Sequence, residues 1–140
     1  MAYRLREFDW QIGKRRFRPQ LELPMMLTLV DEDESGLFPD YNVGLMFRWR
    51  DWPWNRTVRT TLGLGLGISY SSRVWTFDRQ RHAGTDRAHL KFWLPIEITF
   101  AHPRRPRHQF TLFIDHQSGA HVTDVGGQDA WGIGYRYSYE

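Results

Sequence analysis

Apolar and polar side chains alternate with a period of two along most of the chain. In a strand successive side chains point to opposite faces, so alternate residues share one face. Residues 41–50 show this most plainly: Tyr41, Val43, Leu45, Phe47 and Trp49 fall on one side, and Asn42, Gly44, Met46, Arg48 and Arg50 on the other. Residues 20–29 set Leu21, Leu23, Met25, Leu27 and Leu29 against Gln20, Glu22, Pro24, Met26 and Thr28. Residues 58–70 set Leu62, Leu64, Leu66, Ile68 and Tyr70 against Arg59, Thr61, Gly63, Gly65, Gly67 and Ser69. Residues 90–100 oppose Leu90, Phe92, Leu94, Ile96, Ile98 and Phe100 to Lys91, Trp93, Pro95, Glu97 and Thr99. Residues 110–118 and 129–139 alternate in the same way, and a short segment, residues 7–12, opens the series with Phe8, Trp10 and Ile12. Alternation sustained over whole segments predicts strands.

Breakers and charges fill the gaps between these segments. They are a basic turn at 13–18, an acidic loop at 31–40, a Trp- and Pro-bearing turn at 51–56, a long polar loop at 71–88, a basic Pro-rich turn at 101–109 and a loop at 119–128. No helical period is sustained and no long repeat occurs, so residues 1–140 read as a single all-β domain. An antiparallel up-and-down meander hides its edges by closing into a barrel. Seven strands are visible, and the even-numbered norm predicts about eight. The eighth is expected before Glu7, lost by truncation or a mis-set start, or supplied in part by residues 1–5.

Volume decides which face of such a barrel is inside. A barrel of about eight strands has room only for modest side chains, yet one face carries Trp, Phe, Tyr and Leu at nearly every position. The other supplies Gly44, Gly63, Gly65, Gly67, Gly132 and Gly134 with Arg48, Arg59, Lys91, Glu97 and Arg136, which suits a narrow polar lumen laced by ion pairs. Tyr41, Trp49, Tyr70, Phe100, Trp131 and Tyr139 fall near strand ends, where interfacial aromatic girdles belong. The expected fold is therefore a transmembrane β-barrel, with a soluble lipocalin-like barrel as the alternative. Composition agrees: aromatics are 16% of the chain with seven Trp. No stretch approaches the roughly 18 apolar residues of a spanning helix, and no apolar leader opens the chain. Cys is absent, which excludes disulfides, thiolate metal sites and a cysteine nucleophile. A net charge of +3, spread through the chain, gives no nucleic-acid footprint.

Strand phase sets three polar side chains apart. His116 and Ser118 share the apolar face of Phe110, Leu112 and Ile114, and Asp129 shares that of Trp131, Ile133 and Tyr135. A hydroxyl, an imidazole and a carboxylate thus converge near one end of one hairpin, on the side where polar groups are least expected. That set is able to run a Ser-His-Asp hydrolysis, with His116 as base, Ser118 as nucleophile and Asp129 holding the tautomer. Asp124 is the rival for the acidic place. Backbone N–H groups of Gly119 and Ala120 are the candidate oxyanion donors. If the last strand descends to the periplasm, the loops at 31–40, 71–88 and 119–128 are external and the three side chains face lipid at outer-leaflet depth. Arg73, Arg79, Arg81 and Arg87 then line the outer surface, with Arg73 and Arg79 as candidate partners of substrate phosphate. His102 and His108 match no metal-site spacing, and Gly63 to Gly67 lacks the helix of a phosphate loop.

The segment His-Gln-Ser-Gly-Ala, followed about ten residues later by Gly-Gly-Gln-Asp-Ala-Trp-Gly-Ile-Gly-Tyr-Arg-Tyr, resembles the C-terminal signature of outer-membrane lipid A 3-O-deacylases (PagL-like). The resemblance covers some thirty residues. It implies an eight-stranded barrel in the bacterial outer membrane with a lipid-facing triad. It also implies hydrolysis of the ester-linked 3-hydroxyacyl chain of lipid A, without cofactor or metal, by a monomer or weak homodimer. His116, Ser118 and Asp129 take the triad positions. Gly119 stands where the family usually has Asn, and Asp115 where a basic residue is frequent. From a different class comes the second expectation, a non-catalytic outer-membrane barrel serving structure or adhesion.

Overall fold

The computed structural model describes residues 2–32, 36–84 and 86–137. In chain order these form β1 (Ala2–Glu7), β2 (Trp10–Ile12), β3 (Arg15–Phe17), β4 (Gln20–Glu32), β5 (Gly36–Trp49), β6 (Arg59–Ser71), α1 (Thr76–Arg81), β7 (Leu90–Ala101), β8 (His108–Ser118) and β9 (Gly127–Tyr137). One antiparallel seven-stranded sheet runs β1-β4-β5-β6-β7-β8-β9, and β2 pairs with β3 alone. The sheet curls into a half-barrel. Seven antiparallel strands in a row leave β1 and β9 at the two edges running the same way.

Six of the expected strands, β4 to β9, lie where the alternation put them; the chain before them differs. Residues 7–12 are no strand of the sheet: β1 ends at Glu7 and pairs along the first half of β4, from Glu7 opposite Gln20 to Ala2 opposite Pro24. The supposed basic turn is the far arm of the β2–β3 hairpin, tied by the Asp9 carboxylate to the Arg16 guanidinium. Nor are residues 31–40 simply a loop: β4 runs to Glu32 and β5 begins at Gly36, with Val30 opposite Phe38 and Glu32 opposite Gly36, while residues 33–35 of the expected loop lie outside the described residues. The inner positions turn apolar there, Val30 and Phe38 being buried. That reversal of phase disguised the strand. The short helix α1 sits inside the long polar loop, its first N–H, on Thr76, held by both Glu32 carboxylate oxygens at 2.8 and 2.9 Å. No helix among the described residues is long and apolar enough to cross a membrane.

The sheet is polar on its buried face and apolar on its exposed one. Inward side chains include Gln20, Glu22, Asn42, Arg48, Ser69, Lys91, Thr99, Asp115 and Gln117, all less than 10% exposed. Outward ones include Leu27, Leu66, Ile133 and Trp131, the last 82% exposed. Across the lumen Arg48 reaches Glu22 at 2.9 Å and Glu97 at 2.5 Å, while Arg136 of β9 reaches the same two carboxylates at 2.8 and 3.0 Å. This closed square draws β9 toward β4. Glu22 is the member that alternation alone did not single out. Arg59, expected in the network, lies instead at the end of β6 opposite Ala101. Curvature needs close strands, and β5 and β6 meet at Gly44 and Gly67, where a Cβ on Gly67 would stand 2.2 Å from the Val43 carbonyl oxygen.

Candidate active site

Strand β8 sits between β7 and β9, so each outward side chain on it has a neighbour on both sides. In this register His116 lies between Leu94 and Asp129, and Ser118 between Phe92 and Gly127. His116 and Asp129 are thus directly opposite each other, and the imidazole Nδ1 is 2.7 Å from Asp129 Oδ1. With Nδ1–H donating to the carboxylate, Nε2 keeps its lone pair, the tautomer a general base needs. The ring leans toward the next row, where a Cβ on Gly127 would lie 3.0 Å from Cε1 and 3.3 Å from Nε2. Gly127 is the residue facing Ser118. A larger side chain there would press against the imidazole and the Gln117 carbonyl.

The hydroxyl itself is engaged elsewhere. Ser118 Oγ donates to the Gly126 carbonyl at 3.2 Å and accepts the Ala120 N–H at 3.1 Å. For Oγ to meet Nε2 it must leave Gly126, a rearrangement of the kind that unliganded hydrolases complete on binding. Of the expected oxyanion donors, Gly119 N–H is spent on the Gly126 carbonyl at 3.2 Å, and Ala120 N–H points at the serine oxygen. Neither is free in this conformation. Ala120 and His121 take left-handed φ angles of 49° and 59°, which cost non-glycine residues about 1 kcal/mol or more each.

Asp124, the rival acid, is nowhere near this role. It is buried behind Gly119, its Oδ2 accepting the Ala88 N–H at 2.9 Å and lying 3.4 Å from Arg87 and 3.7 Å from Lys91. Both cations also hold Asp78 of α1: Arg87 grips it through two nitrogens at 2.6 and 3.0 Å, and Lys91 through its ammonium. His82 Nδ1 stands 3.2 Å from the same carboxylate. Burial pushes the Asp78 carboxyl up, but hydrogen bonds and charge from Arg87 and Lys91 outweigh it and hold the group below the ordinary carboxylate range. Arg87, expected at the surface, is therefore a buried strut. Arg73 and Arg79 are exposed on the loop rim, Arg79 reaching Thr76 Oγ1 at 3.4 Å. His108 bonds the Tyr135 hydroxyl at 2.6 Å and His102 accepts the Arg104 N–H at 3.1 Å. Among the described residues no three His, Cys, Asp or Glu side chains cluster as metal ligands.

On the outer face of β4 to β6 lies an apolar groove of about 560 Å³ lined by Met25, Leu27, Tyr41, Val43, Ile68 and Tyr70. One row of paired residues crosses from it to the serine, Val43 facing Ile68, Ile68 facing Phe92 and Phe92 facing Ser118. No known family, curated protein or solved structure matches this chain. The likeness to the deacylases accordingly rests on the short C-terminal motif, and the chemistry on the geometry above.

Proposed function

We propose that this chain is an outer-membrane esterase that removes an ester-linked hydroxyacyl chain from lipid A. One observation carries the reading: a hydrogen-bonded His116–Asp129 pair one residue pair along from Ser118, on an apolar outer face. Burying a Leu- or Phe-sized side chain is worth about 1.5–3 kcal/mol, so a sheet that turns Leu, Ile and Trp outward around a buried polar interior is suited to a surrounding of lipid. Polar groups on such a face are costly unless they work. Their place beside an apolar groove suits a substrate that is itself a lipid.

In this reading His116 Nε2 takes the Ser118 proton as Oγ adds to the ester carbonyl. Asp129 stabilises the imidazolium through Nδ1–H. The tetrahedral oxygen anion forms beside Ala120 N–H, which shifts from Oγ to the new charge. Imidazolium then protonates the departing alkoxide, and water, deprotonated by the same imidazole, releases the fatty acid from the acyl-serine. No step calls on a metal or organic cofactor. Arg73 and Arg79, on the loop rim, are placed to meet lipid A phosphates.

Lipid A from cells expressing the chain is expected to lose one 3-hydroxyacyl group by mass spectrometry, and Ser118→Ala is expected to abolish the loss. Unchanged lipid A in the presence of folded protein would sink the proposal. The Ser118 bond to Gly126 favours a second reading, a non-catalytic barrel, and that result would select it. Purification tests the setting: a chain that stays monodisperse without detergent is no membrane barrel.

A further inference from the structure

We infer that Asp124 is a positioning residue for Ser118, coupling the loop that carries α1 to the nucleophile. The inference rests on the esterase reading. β8 ends at Ser118 and the chain then folds back tightly: Gly119 O accepts the N–H groups of Val122 and Thr123 at 2.8 and 3.0 Å, and Asp124 O accepts that of His121 at 3.1 Å. Asp124 fills the inside of this turn so closely that a Cβ on Gly119 would lie 2.0 Å from Oδ1, 2.4 Å from the Asp124 carbonyl oxygen and 2.5 Å from its nitrogen. Glycine is required there because the acid occupies the space.

What holds the acid comes from another loop. Ala88 N–H, Arg87 and Lys91 meet its Oδ2, and the two cations are themselves fixed by Asp78. All four charged side chains are 6% exposed or less, so the lattice is shielded from water. Gly126, whose carbonyl accepts the Ser118 hydroxyl's hydrogen bond, is covered by His82, a Cβ there lying 2.4 Å from His82 Nε2. A second tie joins Arg87 to the Val125 carbonyl. Beyond its own internal hydrogen bonds, the turn that sets Ala120 N–H on Ser118 Oγ is thus braced by residues 78–91, and Asp124 is where the brace meets the turn. Asp124 touches no reacting atom and acts through Gly119 and Ala120.

The full chain in detergent micelles tests this with Asp124→Asn, which keeps the shape and removes the charge. Folding is checked by the heat-dependent gel shift typical of outer-membrane barrels. Ser118 labelling by a fluorophosphonate and hydrolysis of lipid A are then measured. A tenfold or greater fall in labelling rate and kcat with KM unchanged, while the low-field His116–Asp129 proton signal persists, is expected. Lys91→Met, which strips one cation from behind Asp124 and leaves Asp78 to Arg87, is expected to act in the same direction. It decides the matter should Asp124→Asn fail to fold. Labelling and kcat within twofold of the parent in folded variants, or any increase, overturns the coupling while leaving the esterase intact. A parent chain that neither labels nor hydrolyses overturns the esterase reading itself.

Discussion

In the proposed esterase Asp129 has two tasks at the scale of a residue: its hydrogen bond at 2.7 Å sets the tautomer of His116, and it would steady the charge that forms there in the reaction. Asp129→Asn keeps the size but favours the opposite tautomer, in which the amide donates to Nδ1 and Nε2 carries the hydrogen. In a comparable triad this substitution lowers kcat about 10⁴-fold. At an exposed pair, 43% and 68% accessible, a fall of at least roughly 10²-fold in kcat with little change in KM is expected from initial rates. Asp78 supplies a pH dependence of stability. Its folded value is depressed by Arg87 and Lys91, so its contribution is complete above the ordinary carboxylate value of about 4. It drains away as pH falls through the lower folded value. Thermal unfolding followed against pH should show a stability limb in that acid range, and Asp78→Asn should flatten the limb while lowering the plateau above it by about 3–5 kcal/mol, the usual effect of breaking a buried pair.

Elements β5 and β6 depend on a backbone contact with no tolerance. Gly67→Ala drives a methyl into the Val43 carbonyl and the Gly44 Cα, at 2.2 and 2.5 Å, and is expected to destabilise the sheet by about 1–3 kcal/mol or more, read as a lower midpoint in urea. The small residues that alternate with Leu along β6 mark the inward face in the sequence, though not this contact. Alternation likewise placed β4 to β9 and the inward charges Arg48, Glu97 and Arg136, because a half-buried strand records its two environments in every second residue. It offered residues 1–5 only as a partial strand, which β1 bears out, and put residues 7–12 into the sheet, where Trp10–Ile12 pairs with β3 instead. It missed α1, whose six residues make less than two turns and whose N-terminal partner, Glu32, lies 44 positions away. The candidate site was half visible. Parity alone aligned His116 with Ser118, but pairing Asp129 opposite His116 needs the register of a hairpin whose long loop conceals it. That Asp124 serves another loop is a matter of contacts from residues 78–91, which no local pattern announces.

For the molecule as a whole, burial is largely inverted: ion pairs and polar side chains fill most of the interior, with Trp93, Met46 and Phe38 among its buried apolar members. Glu22→Ala leaves Arg48 and Arg136 with one shared carboxylate between them and is expected to cost about 3–5 kcal/mol, measurable in the gel-shift temperature. Hydrogen exchange should grade the sheet: slowest at the β5–β6 centre and fastest at the β9 amides that face away from β8. Uniform protection of both edges would contradict the open half-barrel. The odd number of strands carries one more consequence. Hydrocarbon does not solvate bare peptide groups, so the gap must be zipped shut wherever this sheet meets lipid. Since its two lips, β1 and β9, run the same way, one further ribbon running against them is able to stitch to both in antiparallel fashion, whereas one running with them finds only parallel matches.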